Sequence, residues 1–283
     1  HDGVEVVVAI DDDNFPREEY PFLKGHNAVG RTVKLPSAVG ADGWFNLCSL
    51  MEIENARLGA GGTAYPRGFP YKRRTVGTGR TEPGKIIEGT VGVSAGLWSG
   101  DPDVDAATRL VTGCRAREKF SGDLFLGDGV LTPLNTQNTA LVREAVPAYY
   151  YVRMGHPVGG MKLDRYGDMF SGYFLQMCAR AVGHRVKVGA PVVEHRRNPH
   201  NLFKDLWHEL AGMTVIDDMT EFLETPLPRA ASYSEAALSL ADGLEAWSVR
   251  QKGFLWDDDL RAYFRDVALT IRLWVEACRR LAP

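Results

Sequence analysis

Three consecutive carboxylates, Asp11, Asp12 and Asp13, directly follow the apolar run Val4 to Ile10. Adjacent carboxylates repel one another, and each raises the pKa of its neighbours unless a cation lies between them. Two aspartates in a D-x-D spacing can direct oxygens at one hard divalent cation, which then also binds substrate phosphates. We therefore expect a site for Mn²⁺ or Mg²⁺ and a diphosphate, with Asp11 and Asp13 as metal ligands. The alternative is a solvated acidic turn, because D-x-D alone is a weak motif.

Asp168 and His195 are two further candidates at the ends of predicted elements. Asp168 stands at the start of a predicted helix, where a carboxylate serves either as a cap or as a catalytic group. His195 directly follows an apolar strand, and we weigh a third metal ligand there against a structural histidine. Ligands of open α/β sheets bind beyond the carboxyl ends of the strands, which favours a shared site for these residues.

A basic cluster lies in a glycine-rich stretch of the chain. It comprises Arg67, Lys72, Arg73, Arg74 and Arg80. Guanidinium groups match phosphate oxygens with two parallel hydrogen bonds, so beside a metal and carboxylates this cluster would neutralise a diphosphate. The alternative is a solvated loop.

Several elements must position these residues. The apolar, β-branched run Val4 to Ile10 predicts a strand buried on both faces of a parallel sheet. Other patterns predict a helix over 43–59, a short strand over 86–93, a short helix from about Val142, a helix over 168–184 capped by Asp168 or its neighbours and stopped at Gly183, and a pair of short strands about Gly189.

The C-terminal third is helical in pattern. Apolar residues from Leu260 to Cys278 fall on one stripe of a long helix, and Ala236 to Arg250 gives a weaker helical pattern. Such a stripe is more typical of packing or of an oligomer surface than of chemistry.

Composition excludes some classes of protein. The 283 residues are 45% hydrophobic, which is enough for a large core, and the net charge of −3 argues against a general nucleic-acid binder. The four cysteines lie far apart with no C-x-x-C pair, which favours reduced thiols in a cytoplasmic protein. No apolar run reaches 18 residues, so we expect no membrane span.

Several stretches together resemble one family. They are IDDDNF (10–15), YPRGFPYKRR (65–74), GLWSGDPDVDAATRL (96–110), MGHPVGGMKLDRYGDMFSGY (154–173) and HRRNPHNLFKDL (195–206). In this order they resemble the reversibly glycosylated polypeptide family, which includes the plant UDP-arabinopyranose mutases. The resemblance implies an α/β fold of the GT-A glycosyltransferase type, with a nucleotide-binding mixed sheet flanked by helices. We expect this catalytic domain over 1–215 and a helical C-terminal region over 216–283.

The resemblance also implies roles for residues of the metal site. Asp11, Asp12 and Asp13 match the family's triple aspartate, which implies binding of manganese or magnesium and of the donor diphosphate. Asp168 matches the second acidic position, and His195 matches the histidine after the last core strand.

Three more residues follow from the resemblance alone. Asn138 resembles the asparagine of the sugar pocket, and Arg115 and Arg117 are the nearest candidates for the family's self-glycosylated arginine. Family members also carry a β-α-β portion before the aspartates that would hold the uracil, so we expect an upstream segment in the functional protein.

The leading hypothesis is a metal-dependent glycosyltransferase with a UDP-sugar donor and a small-molecule or carbohydrate acceptor. Asp168 would act as general base in an inverting reaction and would orient the sugar in a retaining one. A first alternative is a mutase that interconverts the pyranose and furanose forms of a UDP-sugar and glycosylates itself. A second alternative is a non-catalytic partner subunit that binds nucleotide sugars, and the C-terminal helices would support a homo-oligomer.

Overall fold

The computed structural model describes residues 3–18, 21–40, 42–55, 64–74, 83–118 and 122–281. The strands in these ranges are β1 (Val6–Ile10), β2 (Asn14–Pro16), β3 (Thr32–Ala38), β4 (Met51–Asn55), β5 (Pro83–Gly100), β6 (Cys114–Glu118), β7 (Asp123–Leu126), β8 (Asn138–Val142), β9 (His156–Val158), β10 (Met161–Leu163) and β11 (Arg185–His195). The α-helices are α1 (Phe22–Gly25), α2 (Ala106–Val111), α3 (Gly167–Val182), α4 (Leu202–Glu224), α5 (Tyr233–Ser248) and α6 (Asp258–Leu281).

Strand β5 organises a mixed sheet that contains nine of the described strands. Its first half pairs with β3 in antiparallel register. Its second half lies between β8, which is antiparallel to it, and β11, which is parallel. Strands β9 and β10 form a separate hairpin. The predicted α/β class with a mixed sheet and C-terminal helices is confirmed, and the GT-A topology stays a prediction.

The first strand differs from its prediction. The apolar run forms β1, but β1 pairs only with β8 among the described strands, and this pairing is antiparallel. Its residues are partly buried, and Ile10 is 40% exposed. The prediction of a parallel strand buried on both faces was wrong, because a β-branched run suits an edge strand with one packed face as well as a central one.

The predicted helix over 43–59 was also wrong over residues 43–55, and residues 56–59 lie outside the described residues. Residues Leu47–Leu50 form one 3₁₀ turn, whose first residues are capped by the side chain of Asn46. The chain then enters β4, which pairs with β6 in antiparallel register. Helix formers such as Met51 and Glu52 lie in a strand here because strand pairing outweighs a weak local preference.

Two strand predictions were too short. The strand predicted over 86–93 is part of the 18-residue β5. The pair of strands predicted about Gly189 is one strand, β11, whose register against β5 shifts between Gly189 and Val192. Gly189 and Pro191 are residues typical of turns, so the sequence suggested a turn here, whereas the structure has an irregular but continuous strand.

Helix α3 is buried and packs against β5 and β11, and its end follows the prediction. Gly183 closes the helix in the left-handed conformation at φ 91°, which glycine adopts without a steric cost. At the other end, Tyr166 occupies the cap position and no side chain caps the helix. Asp168 lies within the first turn, so its predicted capping role was wrong. The predicted short helix from about Val142 is a 3₁₀ helix over Arg143–Ala148.

The C-terminal stripe packs inside the chain. Leu260, Phe264, Val267 and Ile271 of α6 are buried, and α6 packs along α5. Residue 215, the predicted end of the catalytic domain, lies within helix α4. The division into two domains stays a prediction. None of the helices in the described ranges combines the length and apolarity needed to cross a bilayer. All four cysteines are free.

Candidate active site

The turn between β1 and β2 carries the three aspartates to the end of β11. Strand β2 pairs with the last residues of β11, and this register sets Asn14 opposite His195. As a result, Nε2 of His195 lies 3.2 Å from Oδ2 of Asp13. The structure thus brings together two of the residues predicted to bind metal, and Asp12 between the carboxylates is exposed.

The imidazole of His195 is oriented like that of a metal-bound histidine. Its Nδ1 lies 2.6 Å from the backbone carbonyl oxygen of Asp101, and since a carbonyl only accepts, this nitrogen carries the proton. In the neutral ring, Nε2 then presents its lone pair to the Asp13 carboxylate. The lone pair and the carboxylate repel each other, and a proton or a divalent cation between them removes this repulsion. Metal-bound histidines usually donate their other N–H to a carbonyl of this kind.

Asp13 and His195 therefore fit as two ligands of one cation. Within the described ranges, no group of three or more acidic, histidine or cysteine side chains could by itself hold a metal ion. A pair of protein ligands is compatible with Mg²⁺, which often binds one or two protein groups together with waters and substrate phosphates.

Arg67 lies between two buried carboxylates. Its Nη2 is 2.7 Å from Oδ2 of Asp168, and its Nε is 2.9 Å from Oδ1 of Asp103. The same guanidinium donates to the backbone carbonyl of Arg165. From the first turn of α3, the carboxylate of Asp168 thus binds the guanidinium of Arg67 and does not cap the helix. This ion pair joins the 64–74 segment to α3.

Asp103 is a site residue that the sequence reasoning missed. Burial alone would raise its pKa, but the charge and hydrogen bonds of Arg67, with a hydrogen bond from Asn135, lower the pKa to about 2. The signal was present, because Asp101, Asp103 and Asp105 directly follow the apolar strand β5 as Asp11 to Asp13 follow β1. The same strand-end rule, applied twice, would have found it.

Asp11 joins these carboxylates into one acidic cluster, which we define as Asp11, Asp13, Asp103 and Asp168. Burial raises the pKa of Asp11, and the charges of the other three members raise it further, while a 2.9 Å hydrogen bond from Thr136 opposes the shift. Asp11 is therefore the member whose proton affinity the cluster itself increases.

The predicted donor-binding arginines are each paired with a protein carboxylate. Arg73 makes two hydrogen bonds to Glu224, and Arg74 lies 2.6 Å from Asp105 and stacks on Tyr71. Arg67 is held by Asp103 and Asp168 of the acidic cluster. These pairs fix the 64–74 segment against the domain, and contact of the three arginines with a donor stays a prediction. Arg80 lies outside the described residues.

Arg115 and Arg117, the predicted candidates for self-glycosylation, lie on β6. Both project from exposed positions of β6, and Arg117 pairs with Glu54 on the neighbouring β4 at 2.7 Å. Among the hydrogen bonds and ion pairs of the described residues, neither arginine contacts a member of the cluster. Their role in self-glycosylation stays a prediction.

Asn138 uses its side-chain amide inside the sheet. The NH₂ group donates to the carbonyl oxygens of Leu97 on β5 and Pro191 on β11, at 3.0 and 2.9 Å, and the amide oxygen lies 3.0 Å from Nε2 of His26. Asn138 is 1% exposed, and its NH₂ group satisfies the carbonyl oxygen of Pro191 in the irregular part of β11. Its place in a sugar pocket stays a prediction.

The buried Lys187 also contacts the irregular part of β11, at Ala190. The side chain of Lys187 is fully buried and lies 2.7 Å from Oδ1 of Asp123 and 2.6 Å from the carbonyl oxygen of Ala190. Burial lowers the pKa of Lys187, and the charge of Asp123 opposes that effect. Lys187 and Asn138 thus fix the strand that leads to His195.

Comparison with known proteins places the chain in a family. Residues 60–283 match the family described as Reversibly glycosylated polypeptide. The chain is 28% identical to the Probable UDP-arabinopyranose mutase 4 of Arabidopsis thaliana over 280 aligned residues. This alignment covers 98% of this chain and 68% of that protein. It is 29% identical over 284 residues to UDP-arabinopyranose mutase 1 of Oryza sativa subsp. japonica, which covers 98% and 68%. A 219-residue overlap with Probable UDP-arabinopyranose mutase 1 of Pisum sativum is 31% identical and covers 76% and 54%. The chain therefore belongs to the reversibly glycosylated polypeptide family, as its motifs predicted.

Proposed function

We propose that this chain is a UDP-sugar mutase, which interconverts the pyranose and furanose forms of its substrate. The observation that carries the proposal is the similarity, over nearly the whole chain, to proteins named UDP-arabinopyranose mutases. We therefore rank the mutase above the metal-dependent glycosyltransferase that the sequence motifs favoured. In this isomerisation the sugar hydroxyl that closes the ring onto the anomeric carbon changes, and no atom is gained or lost.

Asp13 and His195 would hold a Mn²⁺ or Mg²⁺ ion in the proposed site. When bound, the ion would neutralise the negative charge of the diphosphate. This assignment is supported by the 3.2 Å separation of the two side chains and by the hydrogen bond that directs Nε2 toward Asp13.

The remaining carboxylates of the acidic cluster would act on the sugar. Arg67 keeps Asp103 ionised and, as part of the same buried ion pair, holds the carboxylate of Asp168 in a fixed position to orient sugar hydroxyls. Asp11, whose pKa is raised by burial and by its neighbours, would exchange a proton with the hydroxyl that opens or closes the ring.

The proposal is tested by incubating the protein with UDP-arabinopyranose and Mn²⁺ and resolving the nucleotide sugars by chromatography. We expect the furanose isomer to appear without an added acceptor and without release of UDP. Asp13→Asn and His195→Asn should slow the reaction and weaken Mn²⁺-dependent substrate binding, whereas Arg117→Gln on exposed β6 should leave that binding unchanged. UDP release that requires an added acceptor would replace the mutase with the transferase, and binding without turnover would favour the partner subunit.

A further inference from the structure

Three consecutive tyrosines, Tyr149, Tyr150 and Tyr151, lie beside the start of α3. The hydroxyl of Ser171 donates to the carbonyl oxygen of Tyr150 at 2.7 Å, and the amide of Val152 donates back to that hydroxyl at 3.0 Å. The tyrosine segment is thus fixed to the first turns of the helix that carries Asp168.

The three tyrosines have different charged and titratable neighbours. Tyr149 and Tyr151 both lie within electrostatic range of Asp168 and Asp11 of the acidic cluster. Tyr150 instead lies within range of Tyr263 on α6.

Tyr149 and Tyr151, which lie within electrostatic range of the cluster, each have a group that is available to a ligand. The hydroxyl of Tyr149 is buried, and it has no hydrogen-bond partner in the part of the chain that the structure describes. A buried donor without a partner is costly, so such groups usually mark a ligand or an ordered water. Tyr151 is 48% exposed beside the cluster, which leaves part of its ring open to a ligand.

We propose that Tyr149 and Tyr151 bind the sugar ring of the nucleotide-sugar substrate. The ring of Tyr151 packs against the apolar face of the sugar, and the hydroxyl of Tyr149 donates a hydrogen bond to a sugar oxygen. This inference rests on the proposed function, because it assumes that a UDP-sugar occupies the acidic cluster. A tyrosine suits both tasks, since it combines an apolar face with a polar end.

The test compares two ligands and two properties of the protein. Isothermal titration with Mn²⁺ present measures the affinity for UDP-sugar and for UDP, and thermal unfolding measures stability. Tyr149→Phe should weaken UDP-sugar binding about three- to tenfold and leave UDP binding unchanged. Its melting temperature should not fall, because the lost hydroxyl has no partner among the described residues. Tyr151→Ala should weaken UDP-sugar binding about tenfold, again without affecting UDP.

Two control variants separate binding from structure. Tyr150→Phe should change neither affinity, because Tyr150 lies within range of Tyr263 on α6. Tyr173→Phe should lower the melting temperature, because that hydroxyl donates to the carbonyl oxygen of Gly68 at 2.9 Å.

Each outcome decides between the two proposals. If the wild-type protein binds UDP-sugar and both variants bind it equally well, the inference is refuted while the proposed function stands. An equal loss of affinity for UDP and UDP-sugar would place the tyrosines at the nucleotide and refute the sugar contact. If the wild-type protein binds no UDP-sugar, the proposed function fails and the inference fails with it.

Discussion

Replacing Arg67 with methionine tests the central ion pairs of the site. The side chains of Asp103 and Asp168 are each 7% exposed, and Arg67 lies between them. Removing the guanidinium leaves two buried carboxylates without their cation. Breaking a buried pair in this way costs about 3–5 kcal/mol. The lowered pKa of Asp103, about 2 against an ordinary 3.8, corresponds to roughly 2 kcal/mol at neutral pH; the charge and hydrogen bonds of Arg67 contribute most to this lowering, and a hydrogen bond from Asn135 adds to it.

The loss should depend on pH with a defined sign. In the wild-type protein, Asp103 has a pKa below its unfolded value, so its stabilisation is complete above about pH 4 and is lost as the pH falls through about 2. In Arg67→Met, burial without a cation raises the pKa of Asp103 above its unfolded value. The folded variant then takes up protons more readily than its unfolded chain, and its deficit relative to wild type shrinks as the pH falls below neutral.

Urea unfolding at pH 7 and at about pH 4.5 measures both effects. Arg73→Met is the matched control, because its pair with Glu224 is more exposed, at 32% and 29%, and should contribute at most about 1 kcal/mol. The reasoning is refuted if Arg67→Met loses no more stability than Arg73→Met, or if its deficit is the same at both pH values.

Three further predictions concern the buried polar groups that support the sheet. Burial lowers the pKa of His26 from 6.5 to about 4, so between these pH values the unfolded chain binds this proton more readily than the folded protein. The free energy of unfolding of the wild-type protein should therefore fall by about 3 kcal/mol as the pH falls from 6.5 to 4. His26→Gln should lack that loss when urea unfolding is measured at both ends of this interval. Gly96→Ala should cost about 1–3 kcal/mol in thermal unfolding, since an added Cβ would meet the amide of Asn138 and the carbonyl oxygen of Pro191. Gly113→Ala, where the space is open, is its control. Lys187→Met should cost about 1–3 kcal/mol in urea unfolding, because it removes the hydrogen bonds to Asp123 and Ala190; a neutral effect would show that an apolar side chain serves β11 equally well.

The convergence of the aspartates with His195 could be predicted because it depends on a local rule. Polar residues that directly follow strands meet at the ends of a sheet, and this rule needs only the positions of the strands. The partners of the arginines could not be predicted in the same way. Arg67 and Arg73 have the same chemistry in the sequence, but one is held by the acidic cluster and the other by Glu224 on α4. Which carboxylate meets which arginine is decided by tertiary packing.

The errors in the fold have a related cause. Residues 51–55 contain helix formers, and their strand conformation depends on β6, which begins about sixty residues later in the chain. The edge position of β1 likewise depends on which strands pair with it and cannot be read from its own apolar residues. By contrast, α3 and α6 carry their periodicity and end signals locally, and both lie where the sequence placed them.

The pairing of Asp13 with His195 also constrains the order of events as the chain is synthesised. The two residues are 182 positions apart, and Arg67 pairs with Asp168, which is 101 positions downstream. A nascent chain therefore exposes its aspartates on the ribosome long before their partners emerge. Contacts between such distant segments form late and slow folding, so the site is completed only when the framework around it is nearly finished. Until that point, the emerging chain carries a row of unpaired negative charges, which keeps the apolar segment before it from associating with other chains.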